Sequence, residues 1–592
     1  MSSVTAVRFR IARGAVALAA AMLSLAPATA PAQEAPPEPE YLTSAAPPGR
    51  PGGRLVVALR AEPRSLNPVV ATNNPSLTVI RRLMADLVHI DHETQRTVAA
   101  LAKSWTASGD GRSFTVELRR GLRFSDGEPF DADDVVFTFE VFLDEKLASP
   151  HRDLLMVGGE PVAVTRLGSH SVRFELAKPY AVGERIFDSI PILPRHLLET
   201  AYREGRLAAA WPLTAEPGEI AGLGPFRFRE YVPGERLELE RNPHYWKVDA
   251  EGQRLPYLDR LTFLFVASED AQVIRFQAGE THLIDRLSAR NYALLERDRQ
   301  RAGYQLRDLG PGLTYTFLFF NQNHLEGGDL GGIAGKQAWF RRLAFRRAVS
   351  AAVDRAAIAR LVYGGRATPI AAHVTPGDQL WLNRELAPPE HSPETARQLL
   401  RAAGFTWDGE GRLHDAGGRR VEFTVVTNSS NRERMGIGTI LQEDLGKLGM
   451  EVRFAGLEFR ALIERIFSSH DYEAAILGLG GGDVDPNSSI NVLTSEGSHH
   501  LWRLAASGEE EPWQAEIDRL MREQLTTLEP GARKRLYDRV QELVAENVPA
   551  VFLVSPNVLA GAATGLGNFR PAVLAHNTLW NADELYWRET AR

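Results

Sequence analysis

The sequence predicts an α/β fold, and three observations carry that prediction. Residues 421–480 read as strand, helix, strand, helix, strand, the order that builds a parallel sheet with right-handed crossovers. Segments nearer the N-terminus alternate apolar and polar residues with period 2, as half-buried strands do. The chain has 592 residues, 44% of them hydrophobic, enough for two or three packed domains.

Residues 1–32 precede the fold. Arg8, Arg10 and Arg13 stand before "GAVALAAAMLSLA", an apolar run too short for a comfortable membrane span, and Ala30 and Ala32 form the small-residue pattern of a secretory cleavage site. Cleavage is expected after Ala32, because a cut after Ala30 would set Pro31 directly behind the bond. An N-terminal anchor helix is the alternative. Removing 1–32 takes away three arginines and no acids, so the net charge moves from -7 to about -10. That balance argues against nucleic acid and anionic membrane surfaces as partners. The chain has no cysteine, which excludes a lipid-modified N-terminal cysteine, so a soluble, exported protein is expected. Residues 33–53 contain six prolines and little to bury, and read as a flexible leader.

From Arg54 the pattern is globular. "RLVVALRAEP" is a buried strand closed by a turn. In "SFTVELRRGLRF", Phe114, Val116 and Leu118 alternate with polar neighbours, and Asp126-Gly127 supplies the following turn. Asp131 is a good N-cap with Asp134 three residues on, opening a helix whose apolar face holds Val135, Val136, Phe139, Phe142 and Leu143. These acids read as capping groups. Farther on, "VEFTVVT" (421–427) is a strand, about 432–448 a helix with Ile437, Ile440, Leu441, Leu445 and Leu448 inward, "MEVRFAG" a strand, "EFRALIERIFSSH" a helix and "YEAAILGLG" a strand.

The loop "LGLGGGDVDPNSS" (477–489) follows the carboxyl end of that last strand, the edge where open α/β sheets bind ligands. Asp483 and Asp485 would repel a phosphate. A calcium loop of the EF-hand kind fails at Ser488, where glycine is needed, and at Thr494, where the bidentate glutamate belongs. What remains is a carboxylate on glycine backbone, suited to a ligand's ammonium group. Asp485-Pro486 reads as the start of a turn or helix, whereas for Asp483 both a solvated and a ligand-binding role stay open. No enzyme signature appears. The glycine-rich run before Lys336 has Leu330 and Gln337 where a P-loop needs Gly and Ser or Thr. His92-Glu93 is followed by Arg96 instead of a second zinc-binding histidine, and His499-His500 has no spaced partners.

Several segments resemble, in order, the extracytoplasmic solute-binding proteins of ABC importers, the class that includes oligopeptide- and dipeptide-binding proteins. They are "EPRSLNPV", "ALAKSWTASGDGRSFTVELRRGLRFSDGEPFDADDVVFTF" (100–139), "GLGPFRFREYVPGERLELERNPHYW" (222–246), "FRRLAFRRAVSAAVDRAAIARLVYGG", "SPETARQLLRAAGF" and "ENVPAVFLVSP". The resemblance implies a two-lobed periplasmic-binding-protein fold of type II with an extra domain in the first lobe. Segment order places lobe I at 54–84, 195–313 and 559–592, the extra domain at 85–194 and lobe II at 314–558. By the same resemblance Asp483 holds a peptide's amino group, with Gly481 and Gly482 leaving room for it, and Arg434 meets the ligand's carboxylate, with Arg432 as the alternative. Leu479 and Gly480 stand where the family usually brings a tryptophan. The same fold serves peptides, opines, sugars, nickel complexes and haem. The expected protein is a monomeric periplasmic receptor without catalytic residues, cofactor or metal. Its expected partners are a small-molecule or peptide ligand and an inner-membrane ABC permease, with no nucleic acid.

Overall fold

One long strand, Ala550–Ala563, joins the two halves of the protein. Its first part pairs antiparallel with Thr314–Phe320, and its second part pairs antiparallel with Tyr304–Pro311 and Leu283–Ile284. Tyr304–Pro311 and Thr314–Phe320 are themselves separated by only Gly312 and Leu313. The chain therefore crosses between halves at two adjacent places. Gly310 has φ +75°, which a side-chain-bearing residue adopts only with strain, and the Gly312 carbonyl accepts hydrogen bonds from Thr375 Oγ1 (2.6 Å) and Ser555 Oγ (2.9 Å).

The computed structural model describes residues 38–592 except 189, 300–302, 325–330, 481–482, 505–510 and 589–592. The expected export segment 1–32 lies outside the described residues. Among the described residues no helix is long and apolar enough to cross a membrane. A sheet of twelve described strands runs through both halves. In the first half, Arg54–Leu59 pairs parallel with Arg260–Phe265, which continues antiparallel to Arg236–Arg241 and Phe226–Val232. In the second half, Glu422–Asn428 pairs parallel with Glu451–Leu457 and with Ala474–Gly480. The strands and helices expected over 421–480 are present, with helices Arg432–Gly446 and Phe459–Phe467 as the crossovers. Ile437, Leu441, Leu445 and Leu448 are fully buried as their spacing dictates, whereas Ile440 is half-buried at the edge of the stripe.

A separate four-stranded antiparallel sheet is made of Ala102–Ala107, Ser113–Leu118, Ser171–Glu175 and Ala163–Gly168. Phe114, Val116 and Leu118 point into its core, and Gly127 takes φ +98° in the turn. The helix is Ala132–Leu143, with a reciprocal Asp131–Asp134 capping box. Its burial is broader than the expected stripe: Phe137 and Val141 are also buried, while Val136 and Leu143 are half-buried.

The flexible leader expected over 33–53 is corrected from Pro39 onward. Leu42–Thr43 pairs parallel with Lys247–Val248, Glu40 meets Lys103 at 2.8 Å, the Ser44 hydroxyl donates to Glu584, and Ala46 is buried. Prolines cannot donate to a ladder, but the Tyr41-Leu42-Thr43 run between them has free backbone to pair. Average composition over the stretch hides that short run.

Candidate functional site

The strand Ala474–Gly480 ends at the face where the two halves meet. Gly481 and Gly482, expected to make room for a ligand, lie outside the described residues. Past them, Asp483 forms an ion pair with Arg185, which belongs to the turn Gly183–Phe187 of the first half. Burial works against the Arg185 charge, but Asp483 and Asp188 (3.8 Å from Arg185) override it and hold the guanidinium above its usual range. Asp483 Oδ1 also accepts the Asp485 backbone N–H at 3.0 Å.

Asp485 has a different task. Its side chain accepts the Asn487 N–H as N-cap of the short 3₁₀ helix Pro486–Ser489, as the turn reading expects. It also accepts both guanidinium arms of Arg533, at 2.7 and 2.8 Å, with both side chains buried. Arg533, on the helix Pro530–Asn547, lies over the Trp381 ring at 4.7 Å. This bidentate pair anchors the loop and leaves Asp485 buried with its charge already matched by Arg533.

Further contacts close the halves on each other. Asn487 Nδ2 donates to the Tyr180 hydroxyl (2.8 Å), and the Ala181 N–H donates to the Leu525 carbonyl (2.7 Å). Gln95, buried and with φ +59°, donates to the Gly377 carbonyl (2.7 Å) and accepts the Gln379 N–H (2.8 Å). Ile90, Leu313, Val484 and Leu574 make an apolar cluster beside them. The described conformation is thus a closed one.

Beside the Arg185–Asp483 pair lies a cavity of about 220 Å³. Among the described residues its wall is drawn from residues up to Lys247 and from 574–584, with Asp483 as the one contribution from the residues between. The structure brings Asp483 to this cavity but leaves Arg434 off its wall. Arg434 sits in the first turn of the helix Arg432–Gly446, where Asn431 caps its backbone N–H. Its guanidinium donates to Asn428 Oδ1 at 3.0 Å and lies against Gly478, where a Cβ would stand 2.8 Å from Nη2. Burial pulls the Arg434 pKa below its usual value, and among the described residues it makes no ion pair. Arg432, the alternative, is exposed.

Arg185 escaped the sequence reading. It is one arginine in the unremarkable run "VGERIF", and its pairing with Asp483 is visible only in three dimensions. His92 and His500 have bland roles: His92 bonds the Ile90 and Ala575 carbonyls and stacks on Trp580, and His500 bonds the Val492 carbonyl. Lys336 pairs with Glu473 at 2.6 Å. Among the described residues no group of three or more His, Cys, Asp or Glu is placed to hold a metal ion.

Comparison with known proteins agrees with this architecture. A family model described as "Bacterial extracellular solute-binding proteins, family 5 Middle" matches residues 96–499. A probable ABC transporter-binding protein of Deinococcus radiodurans is 26% identical over 84% of this chain and 85% of its own length. The oligopeptide-binding protein AppA of Bacillus subtilis is 27% identical over 86% of this chain and 87% of its own. Among solved structures, the ABC transporter substrate-binding protein CtaP of Listeria monocytogenes superposes with a TM-score of 0.74 at 22% identity, covering 91% of this chain and 100% of its own. The match over most of the chain places it: this protein belongs to the bacterial extracellular solute-binding proteins, family 5.

Proposed function

We propose that the protein is the solute-capturing component of an ABC importer, that its solute is a short peptide enclosed between the two lobes, and that it delivers this solute to an inner-membrane permease. The observation that carries the reading is the Arg185–Asp483 pair beside the cavity, which puts a lobe-to-lobe contact on the carboxylate proposed to meet the solute. A peptide ammonium group shares Asp483 with Arg185, and Arg434, without an ion pair of its own, is the candidate for a ligand carboxylate. Closure is a population shift: contacts from both lobes favour the closed form, and the ligand adds to them.

Curated relatives support a peptide, since they include di- and tripeptide-binding proteins of Pseudomonas aeruginosa besides AppA. Others are named for haem or α-galactosides, and a solved relative holds agropinic acid, so a sugar, an opine or a metal chelate, or a role as a ligand-dependent sensor partner, is the second reading. The proposal includes export through residues 1–32 with cleavage after Ala32, release into the periplasm, and a monomeric state. Native mass spectrometry of protein isolated from its own host tests the solute. Co-purifying masses that fragment as short peptides support the reading; a retained sugar, opine or chelate overturns it.

A further inference from the structure

We propose that the lobe I side of the cavity is a subsite for an anionic group of the solute, a carboxylate or a phosphate, gripped by Arg82 with Arg81 and finished by the imidazoles of His89 and His576. This deepens the solute-capture reading and rests on it.

Arg82 carries the inference. It closes the helix Asn74–Leu83, and the chain covers that last turn so closely that only glycine fits above it. A Cβ on Gly222 would stand 2.1 Å from the Leu83 carbonyl oxygen, and one on Gly224 2.5 Å from that of Arg82. Arg82 as a whole is only 5% exposed, and it lines the cavity wall. Yet its guanidinium makes no hydrogen bond and no ion pair with any described residue, and its Nε is buried without a partner. A sealed arginine normally has its donors satisfied, because an unpaired buried charge is costly. The buried Arg346 and Arg355 of this same protein show the usual solution, each donating to several backbone carbonyls. Arg82 keeps five donors for something else.

The cavity's own acids do not supply it. Asp583 is held by Lys247 (3.1 Å) and the Tyr245 hydroxyl (3.0 Å). Glu584 is held by Arg570 and Ser44, and Asp483 and Asp188 by Arg185. Asp86 is engaged as well. Each carboxylate on the wall therefore has a partner, while Arg81, exposed at the same helix end, has no ion pair among the described residues. Arg82 and Arg81 are thus the two cations on the wall that stand outside these ion pairs, with Asp583 acting on Arg82 only through space. The His89 and His576 rings also line it without a hydrogen-bond partner, and burial keeps both well below their usual pKa, so each is neutral and offers one N–H. The Arg82 guanidinium, buried on the wall of this cavity of about 220 Å³ with its Nε unpartnered, is the group an oxyanion would meet. A bidentate guanidinium fits a carboxylate or a phosphate equally well.

The test uses the mature protein and its Arg82→Gln, Arg82→Lys and Arg81→Gln variants, titrated calorimetrically with citrate and with inorganic phosphate at constant ionic strength set by chloride. Citrate stands for carboxylate ligands and phosphate for phosphorylated ones, so the stronger binder names the source. The expected result is binding of at least one probe, weakened tenfold or more in Arg82→Gln, less in Arg82→Lys, and several-fold in Arg81→Gln. No binding of either probe by the wild type, or unchanged binding in Arg82→Gln, overturns the proposal. Should Arg82→Gln fail to fold, Arg82→Lys and Arg81→Gln decide by the same criterion, unchanged affinity in both being the contrary result. The probes are not peptides, so this outcome is separate from whether the natural solute is one.

Discussion

Arg185 and Asp483 form an ion pair that ties the first lobe to the second beside the cavity that Asp483 lines. The arginine is largely shielded, with 14% of its side chain exposed, and the aspartate is 38% exposed. The pair therefore sits between the surface regime, where ion pairs contribute little, and the buried regime, where loss of one partner is severe. A double-mutant cycle of Arg185→Ala and Asp483→Ala on unfolding free energy should return a coupling of about 1 kcal/mol. Additive single effects would remove the pair from the closing mechanism.

Asp485 should behave in the opposite way. Asp485→Asn strips one charge from a bidentate, buried pair and leaves Arg533 uncompensated, which should cost about 3–5 kcal/mol of stability. Urea denaturation reads this directly. A loss below about 1 kcal/mol, the level of a surface pair, would show that Arg533 finds another acceptor.

Much of this was legible in the sequence, and the limit has a physical form. The 421–480 strands and helices, the Asp131–Asp134 capping box and the N-cap role of Asp485 are local, set by residues a few positions apart. The Arg533 arms that hold Asp485, and the Arg185 that meets Asp483, come from distant segments whose approach no local pattern encodes. Arg82 is the sharper case. An arginine ending an amphipathic helix normally faces water and favours the helix dipole, whereas here the chain at Gly222 and Gly224 packs on the last carbonyls of the helix and Arg82 is buried. The leader failed for the converse reason: proline content was averaged over a stretch in which Leu42 and Thr43 pair.

Closure should respond to Gln95. Its two hydrogen bonds, to Gly377 and from Gln379, cross between lobes and hold a residue with left-handed backbone. Gln95→Gly relieves that backbone but deletes both bonds, so the ligand-free protein should open. Small-angle scattering should show a larger radius of gyration than for the wild type. An equal radius would mean that the remaining contacts suffice.

Stability should fall on mild acidification because several buried histidines are held neutral. Desolvation pushes His373 down to about 3 and His282 and His500 down to about 4. The unfolded chain takes up protons near pH 6.5 and the folded one does not, so these groups stabilise fully above about 6.5 and lose that contribution as pH drops toward 4. Burial acts on Asp378 in the other direction, raising it to about 7, so its contribution is lost as pH rises from about 4 to 7. Asp134, raised by burial to about 6, and Glu184 and Asp285, also raised by burial, act in the same direction as Asp378, but the histidines lowered by burial outnumber these acids. Thermal melts from pH 7 to 4.5 should show a falling melting temperature, with a shallower slope in His373→Gln, where one such group is gone. An unchanged slope in that variant would mean His373 does not stay neutral on folding.

The most direct measurement is calorimetry of the peptide recovered from the native protein, on wild type, Asp483→Asn and Asp485→Asn. Asp483→Asn keeps the shape but removes the charge that faces both Arg185 and the proposed ammonium group. Truncating one partner of an enclosed pair costs ~2–5 kcal/mol. Because Arg185 already shares this carboxylate, the loss should fall at the low end, roughly 30-fold in affinity at about 1.4 kcal/mol per decade. Asp485→Asn, measured where it is still folded, should bind within a few-fold of wild type. Equal small losses in both variants, or a tighter complex in Asp483→Asn, would contradict capture of a cationic peptide terminus at this loop.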